Sequence, residues 1–216
     1  MKLKLKGNSM TAKQSYNALL SQKLITEFEK RNFEGYYCET KEDALAKALE
    51  LIPKEALVSC GGSATLEEIG LADALKNENY HFLDPKAVKT AKEMDDIAHQ
   101  ALNADYFLMS TNAITQVGEL VNADGYGNRV SALIFGPKNV IIIAGLNKVE
   151  PELDTAILRV KKTAAPMIML KFNQDYSSLD ELDKIAGAAI GQFVITSMST
   201  VKGRIKVILV GESLGF

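Results

Sequence analysis

The sequence predicts an α/β protein: a mostly parallel sheet flanked by helices, three layers in a Rossmann-like arrangement, with an antiparallel hairpin inserted in the middle. Three observations lead there. Helical and strand-like patterns alternate along most of the chain, which calls for crossover connections and so for parallel strands covered on both faces. The runs "EALVSC", "ADYFLMS" and "NVIIIAG" are apolar, short and bounded by turn residues, as buried strands are. Midway the rhythm changes to consecutive strand-like runs joined at Asp-Gly and Gly-Pro turns.

Taken in order, "AKQSYNALLSQKLITEFEKRN" sets Tyr16, Leu19, Leu20, Leu24, Ile25 and Phe28 at helical spacing. "GYYCE" reads as a short strand, and "TKEDALAKALELI" as a helix opened by Thr40 with acids in its first turn. The strand "EALVSC" leads into "ATLEEIGLADALK", one helix or two short ones. "YHFLD" is a strand, "PKAVKTAKEMDDIAHQALN" a helix with proline at its start, and "ADYFLMS" a strand. "GELVN", "NRVSALIF" and "NVIIIAG" follow as three strand-like runs. Helices are expected in "EPELDTAILRVKK" and "SLDELDKIAGAAI", and closing strands in "FVITSMS" and "RIKVILVG". No repeat or Pro/Gly/Ser linker divides the chain, so residues 11–216 are expected as one domain behind a flexible lead at 1–10, with Met10 as an alternative start.

A chain of 216 residues can bury a substantial core, and 47% apolar against 24% charged residues is a globular balance. The 25 basic and 27 acidic residues nearly cancel, which argues against a nucleic-acid binder. No apolar run reaches bilayer-spanning length. The basic start "MKLKLKGNSMTAKQ" lacks a signal peptide's apolar core, so a cytoplasmic protein is expected. Cys38 and Cys60 read as reduced thiols; with His81 and His99 they make no convincing zinc site, and no metal is expected.

In sheets of this class ligands lie at the carboxyl ends of the strands, and three stretches place polar residues there. The first is the loop Gly61-Gly62-Ser63-Ala64-Thr65. Its glycines let the backbone pass close to a ligand, Ser63 can cap the next helix, and the first-turn N–H groups favour an anion. The pattern fits a carboxylate or phosphate site and an ordinary capped turn equally well, and it is neither a Walker motif nor a dinucleotide fingerprint. Glu67 and Glu68 complement the helix dipole, or else Glu67 serves as a general base. Cys60 stands where helix N–H groups would lower a thiol's pKa, a minority reading without a histidine beside it.

In the second stretch, Thr111 and Asn112 end a strand, and Asn122, Asp124, Asn128 and Arg129 crowd the turn that follows. Asp124-Gly125 alone would close a hairpin; the surplus polar groups point to a loop facing a ligand beside Ser63. Arg129 either clamps an anion or pairs with Glu119 across the hairpin. The third stretch, "FGPKNVIIIAGLNK", ends in Lys148, which reads evenly as a cation for an anionic ligand and as a solvated side chain; Lys138 reads as solvated.

"SCGGSATLEEIGL", the long "NAITQVGELVNADGYGNRVSALIFGPKNVIIIAGLNKV" and the closing "RIKVILVGESLGF" resemble the lactate-utilisation (LUD) domain proteins, lactate utilisation protein C-like, from about Thr11 through Arg159 and again at the last strand. The resemblance implies the fold of the sugar-phosphate isomerase and coenzyme A transferase group. There a glycine-serine-threonine loop binds phosphate or carboxylate, and Gly61, Gly62, Ser63 and Thr65 stand in its place. It further implies bacterial lactate utilisation beside iron–sulfur and oxidoreductase partners, with no defined reaction of the family's own. The cysteine-rich segment of many relatives is missing, since "KTAAPMIMLKFNQDYSSLDELDKIAGAAIGQFVITSMSTVKG" holds no cysteine, so no iron–sulfur cluster or other cofactor is expected on this chain.

The resulting expectation is a binder of a small anionic metabolite. Glu67 or Glu119 would shuttle protons, Arg129 and Lys148 would hold the anion, and Asn112 and Asn128 would orient polar groups. Whether it turns its ligand over is open. The alternatives are an accessory subunit docking to a redox partner and a metabolite-sensing regulator; a homo-oligomer is also open.

Overall fold

The computed structural model describes residues 10–78, 80–172 and 175–216. The strands are β1 (Glu34–Cys38), β2 (Leu57–Cys60), β3 (His81–Leu83), β4 (Tyr106–Met109), β5 (Ala113–Thr115), β6 (Leu120–Asp124), β7 (Asn139–Gly145), β8 (Val149–Glu150), β9 (Gln192–Thr196) and β10 (Ile205–Val210). Six of them form one sheet in the order β1-β10-β7-β4-β2-β3, every pair parallel. The expected α/β class with a parallel sheet is what the chain adopts. In the middle strands, Val140 to Ala144 and Val207 to Val210 have no exposed surface, which is why these strands read as unbroken apolar runs.

The helices are α1 (Ala12–Lys30), α2 (Lys41–Glu50), α3 (Ala64–Glu68), α4 (Leu71–Asn77), α5 (Ala91–Ala101), α6 (Asn128–Phe135), α7 (Leu153–Arg159), α8 (Ala165–Phe172) and α9 (Leu179–Ala186). One face of the sheet is covered by α1, α5 and α6 through Leu24, Phe28, Ala101 and Leu133. The other is covered by α2, α3 and α4 through Ala44, Ala48, Leu66, Leu71 and Leu75. Local chemistry sets the helix starts: Thr11 and Gln14 form a capping box, and the Thr40 hydroxyl accepts the Asp43 N–H. The remaining strands form a second sheet, β8-β5-β6-β9, in which β5 and β6 run antiparallel. Its Ile114 and Leu120 join the main core, while Ala113, Val121 and Ala123 pack with Ala156 and Val160.

The structure corrects three element readings. "NRVSALIF" is helix α6 and not a strand. Asp124 Oδ1 accepts the N–H groups of Tyr126 (3.1 Å) and Gly127 (2.8 Å), which turns the chain into a helix, with Gly127 at φ 99°. At the far end of α6, Arg204 donates to the carbonyls of Ala132 and Leu133, the first of which also accepts the Gly136 N–H that closes the helix. The antiparallel hairpin therefore turns earlier, where the N–H of Gly118 meets the Thr115 carbonyl at 2.8 Å. Finally, Pro85 opens a separate 3₁₀ turn, Pro85–Ala87, and α5 starts later on a Thr90–Glu93 capping box. The lead expected at 1–10 lies outside the described residues except for Met10. Among the described residues, no helix is long and apolar enough to cross a membrane.

Candidate functional site

The strand order makes a crevice between β2 and β4. From β2 the chain leaves to α3 on one face; from β4 it leaves to β5, β6 and α6 on the other. Loops that diverge in this way open a gap at the carboxyl ends of adjacent strands, where ligands of such sheets sit. At this switch point stand Gly61 to Thr65 after β2, Ser110 to Asn112 after β4, and Lys148 beyond the end of β7.

Arg129 braces one wall. Its Nη1 donates to the Ser110 carbonyl (3.0 Å) and Asn122 Oδ1 (2.8 Å), and its Nη2 to Asn112 Oδ1 (3.0 Å) and the Ala123 carbonyl (2.5 Å). Nε faces Asp124 at 3.6 Å. All four terminal N–H groups are thus met by protein oxygens. The stem of Arg129 lies on Gly61, where a Cβ would come within 3.0 Å of Arg129 Cγ and Cδ. The polar surplus of the 118–130 stretch is accounted for: Asp124 starts the helix, and Arg129 ties the loops of β4 and β6 together. Within this knot Asn122 is fully buried and its Nδ2 has no partner among the described residues, although Arg129 fixes the orientation of the amide.

Lys148 forms the other wall and is met quite differently. It is 2% exposed, and its Nζ donates to Thr65 Oγ1 (2.8 Å) and Ser110 Oγ (2.9 Å). Among the described residues no carboxylate lies within ion-pair distance of it, whereas Arg129 has Asp124 and Arg159 has Glu150 at 3.9 Å. Burial pulls the Lys148 amine down to about 7, Arg159 and Arg129 push the same way, and Glu68 opposes them. Arg159, at the end of α7 beside a π-helical turn at Val160–Ala164, donates to the Asn112 carbonyl at 2.5 Å. Three cations therefore surround Ser110 and Asn112, and Lys148, the most deeply buried of them, has no acid among the described residues.

A strap of chain lies over Lys148. The Thr65 hydroxyl donates to the Leu214 carbonyl, Asn147 holds the Leu214 N–H and the Gly215 carbonyl, and Glu68 accepts the Gly215 N–H at 2.9 Å. Gly215 has φ 55°, and a Cβ there would lie 3.2 Å from Lys148 Nζ and closer still to Thr65 Oγ1. Beside the strap a cavity of about 500 Å³ is lined by Lys13, Lys41, Glu68, Glu212, Ser213 and Leu214.

Other expected site residues are placed elsewhere. Glu67 is exposed and bound by Lys86 (2.8 Å) and Lys171 (2.7 Å); partial burial raises its pKa, but the two lysines outweigh that and hold it below the usual carboxylate value. Glu119 is bonded to Thr115 and Ser197 at the opposite end of β6, four residues and about 13 Å from Ala123. Asn128 lines a groove between α5, α6 and β9 with His99, Tyr126 and Val194. Burial pushes the Cys60 thiol up to about 12, opposite to the activation considered from sequence. Cys38 and Cys60 end strands four sheet positions apart, about 19 Å, and two thiols do not supply the four that a cluster takes. Among the described residues, no group of three or more His, Cys, Asp or Glu side chains is placed to hold a metal ion. Ser110, Arg159 and the 214–215 strap were missed from sequence. Ser110 had a signal, as the last residue of an apolar run; Arg159 and the strap belong to no local pattern.

The family model described as LUD domain matches residues 21–210. A solved structure of a DUF162 family protein from Deinococcus radiodurans superposes with a TM-score of 0.55 at 11% identity, covering 90% of this chain and 98% of that one, a likeness of fold. No curated protein matches the chain in sequence.

Proposed function

The chain belongs to the LUD domain family, which is associated with lactate utilisation, and from that premise we propose that it binds a small carboxylate or phosphate in the crevice between the Gly61–Thr65 loop and the 112–129 segment. One observation carries the reading: Lys148 is buried against two hydroxyls near two guanidinium groups, with no carboxylate among the described residues within ion-pair distance to balance it. A buried cation without an acid is costly, and an anionic ligand removes that cost. Asn122 Nδ2, without a partner among the described residues, is a second group in want of an acceptor. In this arrangement Lys148 and Thr65 meet the anion, the exposed Gly62 and half-buried Ser63 form the rim, and Arg129 holds the loops in place. Glu67 and Glu119, the carboxylates expected to shuttle protons, are engaged elsewhere, so the reading rests on Lys148. A thermal-shift panel of lactate, other short carboxylates, phosphate and sugar phosphates tests it. A ligand at about 100 times its dissociation constant stabilises the fold by roughly 2.7 kcal/mol, and Lys148→Met abolishes the shift. A panel with no hit, or a hit indifferent to Lys148→Met, removes the reading.

The accessory-subunit alternative has its own observation. Phe135 is 95% exposed and Ile134 is 59% exposed at the end of α6, as a docking patch would be. Under that reading nothing in the panel stabilises the chain.

A further inference from the structure

A lysine that serves only packing sends its ammonium to water or to an acid. Lys148 does neither. Its nitrogen ends between the hydroxyls of Thr65 and Ser110 and under the Leu214–Gly215 strap, near enough to Arg129 and Arg159 to feel their charge. Dry surroundings and neighbouring cations both favour the free amine, the form with a lone pair to give. The two hydroxyls are donors and acceptors alike, so a proton moved during attack has somewhere to go.

We propose that Lys148 is a nucleophile that forms an imine with a short 2-oxo acid. The inference rests on the anion-binding reading above and narrows it to a class: a compound that suits both the cations and an attacking amine carries a carboxylate next to a carbonyl. In the step, the Nζ lone pair bonds to the carbonyl carbon, and the carbonyl oxygen takes a proton from the Ser110 or Thr65 hydroxyl. The hydroxyl is replenished by the ammonium proton of the addition product. A second proton transfer expels that oxygen as water and leaves a C=N bond, with no change of oxidation state. The strap keeps water from the amine and gives way to admit the substrate; two of its four bonds are long, at 3.4 Å.

The test is reductive trapping. The full chain is incubated with pyruvate and sodium borohydride, which converts an imine to a stable secondary amine, and the adduct is located by peptide mass mapping. One adduct per chain on Lys148 is expected, with none on Lys13 or Lys41 at the cavity rim. Lys148→Arg keeps the charge and loses the adduct, and Ser110→Ala slows trapping on the order of a hundredfold. No adduct, or adducts spread over surface lysines, overturns the proposal. Lactate has no carbonyl and separates the two claims. If lactate stabilises the wild type and not Lys148→Met while pyruvate leaves no adduct, the imine falls and anion binding stands. If neither lactate nor any other anion binds and no adduct forms, both fall.

Discussion

Two cations share Ser110, and they are treated in opposite ways. Arg129 takes its carbonyl, and every terminal N–H of that guanidinium is matched by protein oxygen, with Asp124 alongside. Lys148 takes its hydroxyl, has no acid within ion-pair distance among the described residues, and its burial brings the amine down to about 7. A charge that is fully answered holds a structure together. A charge left unanswered costs stability, and a chain that keeps it has a use for the group.

The largest effect expected is at the answered cation. Arg129→Met takes one donor each from Asp124, two amide oxygens and two carbonyls, and should cost on the order of 3–5 kcal/mol in urea unfolding. A loss below about 1 kcal/mol would erase the contrast between the walls. Lys148→Met should behave the other way. The folded amine titrates at about 7 and the unfolded one at the ordinary 10.5, so between these values the unfolded state holds the extra proton. Stability therefore rises with pH through that window, and below it the wild type forgoes a few kcal/mol. Lys148→Met removes this slope and is at least as stable as the wild type near pH 6. A wild-type-minus-variant difference that does not change with pH would contradict the assignment.

Smaller effects sharpen the picture. Gly215→Ala forces a side chain into left-handed backbone against Thr65 and Lys148, at about 1–2 kcal/mol, and it should speed exchange of the Gly215 amide held by Glu68. Unchanged exchange would mean that the strap is not seated by these contacts. Glu67→Gln disrupts two exposed ion pairs and should shift stability by less than about 1 kcal/mol. If anion binding or turnover collapses with it, the site has been placed on the wrong side of α3.

How much of this could be read from sequence follows from how local each signal is. The six parallel strands were legible, and most plainly the central ones, which are buried on both faces and read as unbroken apolar runs. Thr40 and the Gly61–Thr65 turn were legible because caps are local chemistry. "NRVSALIF" was not, because its helix depends on Asp124 before it and on Arg204 nearly seventy residues after it. Lys148 was visible as a lysine past a strand end, but a tie between solvated and functional is settled only by what lies above it. That cover comes from Leu214 and Gly215, and the neighbouring charge from Arg159, none of which any spacing links to Lys148.

The measurement closest to the central claim is calorimetry of lactate, and in parallel inorganic phosphate, binding at about pH 8 in two buffers of different ionisation enthalpy. An anion seated against Lys148 restores its ammonium, so the wild type should take up a fraction approaching one proton, and Lys148→Met should bind neither ligand. Binding with no buffer dependence, or binding undiminished in Lys148→Met, would place the anion elsewhere and contradict the account.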